Sequence, residues 1–221
     1  TYYVYNDWDQ LIAVLPPALI HGLPNSEQTQ TYYTAQANVF LQYAYLYKYD
    51  IQNHRVGVKL PGVDWHYTVY DGDHRPVLGQ DGRQRLSNEW TFYKYDGLGR
   101  IILEGVFKGS TLDNMIQTYA DKLVKEEYTG NTSPTSFGYS ENIIYPYPPT
   151  ITKAYYYDTY DFLSLPMFES ELDYQGWVTK PPREWEYPGT SLQTGSYVSC
   201  LEEPGYELCA FYYDHRARNT R

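Results

Sequence analysis

The chain has 221 residues, a formal net charge of −10, and 28 tyrosines against 7 phenylalanines. That acidity opposes a nucleic-acid partner, whose phosphates need a basic face, and opposes an anionic membrane surface. No run approaches the roughly 18 apolar residues that a membrane span requires.

Tyrosine favours half-buried sheet faces and keeps a hydroxyl for a partner, and its usual share of a chain is only a few per cent. With 14 prolines and 16 glycines as punctuation, the composition predicts an all-β fold with many turns. The chain opens on TYYVYNDWDQL, strand-like from the first residues, with neither an initiator methionine nor a signal peptide. It is therefore expected to be an excised piece of a longer protein, with sheet edges that invite self-association.

A pattern recurs along the chain: an aromatic residue, Asp or Asn, two variable residues, a residue tolerant of positive φ, then Arg or a polar substitute. It reads as Tyr5-Asn6-Asp7-Trp8-Asp9-Gln10, followed by the apolar run LIAVLPP. A short helix is expected over 26–38, SEQTQTYYTAQAN. YAYLYKY then places Tyr43, Tyr45, Tyr47 and Tyr49 on one strand face at period two. The pattern returns as Tyr49-Asp50-Ile51-Gln52-Asn53-His54, Tyr70-Asp71-Gly72-Asp73-His74-Arg75 and Tyr95-Asp96-Gly97-Leu98-Gly99-Arg100. The strands after these turns, RVGVKLPG, RPVLGQDG and RIILEG, are short and end at Pro or Gly.

Asp or Asn at the first turn position accepts backbone N–H bonds from two or three residues on. Asp9, Asn53, His74 and Gly99 are residue types enriched at left-handed backbone. Each unit therefore predicts a hairpin whose three-residue loop is a type I turn closed by a left-handed residue. The arginine past the turn is expected to pair with the aspartate or to stack on a ring.

Residues 110–127, STLDNMIQTYADKLVKEE, predict an amphipathic helix. Ser110 and Asp113 form its capping box, Leu112, Met115 or Ile116, Tyr119 and Leu123 its stripe, and Gly130 its stop. Weaker repeats follow at Tyr157-Asp158-Thr159-Tyr160-Asp161-Phe162, with Asp161 in the left-handed place, and at Tyr213-Asp214-His215-Arg216-Ala217-Arg218. Between them, 163–196 reads as a long irregular loop carrying Trp177 and Trp185 near Asp173, Glu184 and Glu186. Cys200 and Cys209 flank LEEPGYEL; a hairpin turning at 203–206 puts them opposite each other, as a disulfide or as two reduced side chains.

These units resemble the bacterial RHS, or YD-repeat, family, whose repeat is YDxxGR. YDGLGRIILEG matches most closely, with VYDGDHRPVLGQDG, YKYDIQNHRVGVKLPG and AYYYDTYDFL beside it. Gln10, His54 and Phe162 depart from the family's arginine, and Ala217 from its glycine. The resemblance implies a mostly β ribbon of antiparallel hairpins that spirals into a hollow shell. It also implies a secreted or surface-displayed parent whose C-terminal, toxin-like domain is enclosed as cargo.

The expected organisation is YD-repeat hairpins over 1–105, a helical insertion and connection over 106–149, and further YD-like strands over 150–221. The leading functional expectation is a non-catalytic shell segment whose partners are neighbouring repeats of the same parent chain. The alternative is a carbohydrate-binding surface module using Trp177 and Trp185, with a hydrolase acting through the carboxylates of the same loop as a third reading. No Cys/His cluster has zinc-ligand spacing, and neither a nucleophile elbow nor a phosphate loop is present in the sequence. No catalytic residue, cofactor or metal is therefore expected.

Overall fold

The computed structural model describes residues 1–20, 42–143, 145, 148–168, 191–200 and 205–213. The helix expected over 26–38 lies outside them, as do Trp177 and Trp185. The described residues fall into two compact units, Thr1–Trp90 with Ser110–Leu123, and Thr91–Gly109 with Val124–Arg221.

The first unit is a succession of hairpins. β1 (Tyr2–Tyr5) pairs with β2 (Leu11–Leu15), β3 (Tyr45–Tyr49) with β4 (Arg55–Lys59), and β5 (His66–Tyr70) with β6 (Pro76–Gln80), all antiparallel. It also holds the short helices α1 (Pro17–Ile20), α2 (Gly82–Ser87) and α3 (Leu112–Tyr119). β7 (Glu89–Tyr95) begins in this unit; the second contains its remainder, β8 (Ile101–Lys108), β9 (Tyr128–Asn131), β10 (Gly138–Tyr139), β11 (Thr150–Tyr157), β12 (Gln193–Ser199) and β13 (Tyr206–Ala210). Among the described residues eleven strands follow one another in a single antiparallel sheet, in the order β1-β2-β3-β4-β5-β6-β7-β8-β11-β12-β13, and β10 pairs with β9 separately. The protein is thus mostly β, as its tyrosine and turn content predict. Among the described residues no helix is long and apolar enough to cross a membrane.

Tertiary contacts override several local expectations. Tyr43 lies ahead of β3, so only Tyr45, Tyr47 and Tyr49 alternate along that strand. α3 is shorter than 110–127: its N-cap is Thr111 without a side-chain cap bond, while Ser110 Oγ accepts from Asn114 Nδ2 at 2.9 Å. Met115 and Tyr119 bury their side chains and α3 packs on β5, but Leu123 is 52% exposed. The helix stops because the following backbone is claimed elsewhere. Lys122 O accepts from Gly72 N at 2.8 Å in the first unit, and Glu126 N donates to Tyr95 O at 2.9 Å in the second. α2 was not expected, although its capping box is local: Asp81 Oδ1 accepts from Arg83 N and Gln84 N, and Gln84 Oε1 accepts from Asp81 N.

β8 does not end at Gly105 but runs on to Lys108. A Cβ on Gly105 would sit 2.3 Å from Thr150 O and 2.7 Å from the Phe92 ring, so glycine here permits close approach instead of terminating a strand. Cys200 and Cys209 are not opposite each other. Ser196 pairs with Cys209 and Cys200 N donates to Gly205 O at 2.9 Å, a register that leaves both thiols free.

The second unit's core is aromatic. Tyr156 stacks on Phe162 with centroids 4.3 Å apart, and its hydroxyl donates to Phe137 O at 3.0 Å. The same unit holds a wholly buried carboxylate. Glu126 pairs with Lys94 Nζ at 2.7 Å and accepts from Ser140 Oγ, Asn142 N and Ile143 N, which gives a buried charge the partners it needs.

Gly105→Ala should destabilise the fold by about 1–3 kcal/mol, the usual range for overpacking, read as a lower urea midpoint. Gly97→Ala, which meets nothing within 4 Å, should leave that midpoint unchanged. Burial pushes Tyr119, Tyr128 and Tyr160 up to about 12 and raises Tyr139 and Tyr156 as well. Their folded values lie above the ordinary 10.0, so their stabilisation is complete below pH 10 and is lost as pH rises through 12. Phenolate absorbance of these rings should therefore appear together with loss of the near-ultraviolet circular dichroism, not before it.

Candidate functional site

The recurring turns are the candidate site, and their geometry repeats closely. In the turns opened by Asn6, Asp50, Asp71 and Asp96, the opening N–H donates to the carbonyl four residues on at 3.0 Å. The opening carbonyl accepts from the N–H three residues on at 3.0–3.2 Å. The opening side chain does more than the sequence suggests: in place of one bond from two or three residues on, Oδ1 accepts from the residues both two and four positions on. The pairs are Trp8 and Gln10, Gln52 and His54, Asp73 and Arg75, and Leu98 and Arg100, all at 2.8–3.0 Å. Asp9, Asn53, His74 and Gly99 carry φ of 57°, 70°, 61° and 80°. Register shifts at Val4/Tyr5, Lys48/Tyr49 and Val69/Tyr70 mark the bulge that follows from such a loop.

The last turn residue binds the first. Arg75 Nη2 reaches Asp71 Oδ2 at 2.7 Å and Arg100 Nε reaches Asp96 Oδ2 at 2.6 Å. Where arginine is missing, the pair changes chemistry but not connectivity. His54 Nδ1 lies 2.9 Å from Asp50 Oδ2, and Asn6 Nδ2 donates to Gln10 Oε1. Gln10 and His54 are thus chemically matched to Asn6 and Asp50, the residues that open their turns.

The repeat tyrosine is a strut between hairpins. Tyr49 Oη donates to Leu11 O at 3.0 Å and Tyr70 Oη to Arg55 O at 3.5 Å in the first unit. Tyr157 Oη donates to Ile101 O at 3.0 Å and Tyr213 Oη to Gln193 O at 2.7 Å in the second. In the first three, the acceptor directly follows the residue that closes the preceding turn, and Gln193 likewise follows Leu192, which closes the Asp158 turn. Phenylalanine has no donor for this bond. Of the other two repeat tyrosines, Tyr5 is 56% exposed on β1, and Tyr95 is buried with its carbonyl bound to Glu126 N.

The fifth unit is a turn split by an insertion. Asp158 N donates to Leu192 O at 3.0 Å, Tyr157 pairs with Gln193, and the register shifts at Tyr156/Tyr157, as at the compact turns. Ser191, with φ 80°, takes the left-handed position and donates its N–H to Asp158 Oδ1 at 2.6 Å. Leu192 stands where arginine would, and Arg100 Nη2 of the preceding turn supplies the missing cation to Asp158 Oδ2 at 2.8 Å. Asp161 is therefore not the left-handed residue, nor Phe162 the arginine equivalent. Asp161–Ser164 form a 3₁₀ turn and Phe162 is buried, because Tyr160, Phe162, Leu165 and Phe168 gain more from the core than from a tight loop.

Ser191, Leu192 and the tyrosine acceptors were missed because their partners lie far away in sequence, 33 residues for Ser191 and Asp158. Asp214, Arg218, Trp177, Trp185, Asp173, Glu184 and Glu186 lie outside the described residues. Neither protein-family models nor curated protein sequences give a match to this chain.

Asp96→Ala removes the acceptor of two N–H groups and the partner of Arg100, and should cost about 2–3 kcal/mol in urea unfolding. Tyr157→Phe, which loses a single hydroxyl bond, should cost about 1 kcal/mol. Tyr3→Phe on exposed β1 should leave the midpoint unchanged.

Proposed function

We propose that this chain is a structural, non-catalytic segment of an RHS-type YD-repeat shell that encloses or displays a toxin-like C-terminal domain of a secreted or surface-displayed parent protein. The observation that carries this reading is the inward use of the turn chemistry. The turn carboxylates, amides and guanidinium groups bind one another, and the tyrosine hydroxyls bind the preceding hairpin's backbone. Such a unit is suited to repetition, since each hairpin presents the carbonyl that the following tyrosine takes up. Among the described residues the sheet ends at β1 and β13, the strands at which further repeats of a parent chain would pair.

Electron microscopy of the parent protein, with and without its C-terminal domain, tests the proposal. The expected result is a closed hollow particle whose internal density disappears on truncation. A solid or open particle, or internal density that survives truncation, would overturn it.

A further inference from the structure

In the first unit, two neighbouring turns bring a pair of imidazoles together. His54 closes its turn in the place of arginine, and His74 holds the left-handed position of the next turn. Neither turn requires histidine there, since Gln10, Arg75 and Arg100 fill the first position and Asp9, Asn53 and Gly99 the second. Yet His54 Nε2 lies 2.7 Å from His74 Nδ1, with ring centroids 4.8 Å apart. Asp50 Oδ2 sits 2.9 Å from His54 Nδ1 and so holds the hydrogen on that nitrogen, leaving the lone pair on Nε2 aimed at His74. The Tyr70 ring stacks on His54 at 4.6 Å and 19°, which fixes the imidazole plane.

The geometry points to a two-histidine site for a divalent late-transition-metal ion, with copper(II) the best match. Two nitrogens bound cis at right angles, each about 2.0–2.1 Å from a metal, lie about 2.9 Å apart. The observed 2.7 Å lies a few tenths of an ångström short of that bite, and the rings turn from their hydrogen-bonded pose so that both lone pairs converge on the ion. The ion takes the place of the hydrogen between the facing nitrogens: His74 passes to the tautomer that carries its hydrogen on Nε2, Nδ1 giving one to solvent and Nε2 taking one from it, so both facing nitrogens offer lone pairs and no net proton is lost. Asp50 behind His54 completes the carboxylate–histidine–metal arrangement that orients such ligands.

Among the described residues no group of three or more His, Cys, Asp and Glu is placed to hold a metal. Two imidazoles with water in the remaining positions suit a tetragonal copper ion better than zinc, which takes three or four protein ligands. Bound there, the ion ties the β3–β4 hairpin to the β5–β6 hairpin and stabilises the folded state.

Titration of the purified chain with copper(II) sulfate in a non-coordinating buffer, read by calorimetry and electron paramagnetic resonance, tests the site. His54→Gln and His74→Asn are the comparison variants. Each installs a residue that the chain already uses at the equivalent position, Gln10 and Asn53, and each leaves His21, His66 and His215 in place. The wild type is expected to bind copper with coupling to two imidazole nitrogens and to melt at a higher temperature when loaded. Each variant is expected to bind at least about tenfold more weakly, a loss no smaller than that for removing an outer-shell partner. The wild-type spectrum stands whether or not a variant folds, and copper-free melting curves report on that folding. A single-nitrogen spectrum, absence of binding by the wild type, or equal affinity in all three chains would overturn the assignment.

Discussion

One side-chain oxygen governs each compact hairpin. Oδ1 of Asn6, Asp50, Asp71 or Asp96 holds two N–H groups of its own loop, and these hold the chain in the path that makes the residue between them, three positions on, left-handed. The left-handed residue creates the bulge, and the bulge sets how the flanking tyrosine leaves the strand. From there the tyrosine hydroxyl meets the backbone of the preceding hairpin, as at Tyr49, Tyr70 and Tyr157. A local turn device thereby becomes a long-range connection. Without the Asp or Asn, the turn, the bulge and the strut lose their common cause.

The same dependence explains how the repeats vary. The residue closing each turn must satisfy the second side-chain atom of the residue opening it, so the two change together. Aspartate is met by arginine at Arg75 and Arg100 and by histidine at His54, whereas asparagine is met by glutamine at Gln10. At the split turn no cation follows Ser191, and Arg100 binds Asp96 and Asp158 at once. Charge balance is kept within the local cluster, not within each repeat.

Away from the turns, stability rests on buried rings, among them tyrosines whose hydroxyls bind backbone carbonyls. Tyr156 buries its ring against Phe162 and spends its hydroxyl on Phe137 O, and Tyr160 spends its own on Phe211 O. Glu126 is the extreme case, a carboxylate with no exposure that gathers Lys94 and the backbone of 142–143 around it. Such a group favours one arrangement of its segment, because any other leaves a charge buried and unpaired.

The hairpin turns and the predominance of strand are legible in the chain before it folds, because their decisive bonds join residues within four positions of each other. The α2 cap, Asp81 with Gln84, is written there for the same reason, although the surrounding strand pattern drew the reading away from it. Four features were settled by packing instead: the early end of α3, the continuation of β8 through Gly105, the offset of Cys200 from Cys209, and the insertion that splits the Asp158 turn. In three of these a local preference competed with a distant partner: Lys122 O with Gly72, Gly105 with Thr150 and Phe92, and Asp158 with Ser191; the Cys200 offset follows from the β12–β13 register, which pairs Cys209 with Ser196. Local spacing predicts a bond only when both of its ends lie within the same few residues. Where the second end comes from elsewhere, packing selects it.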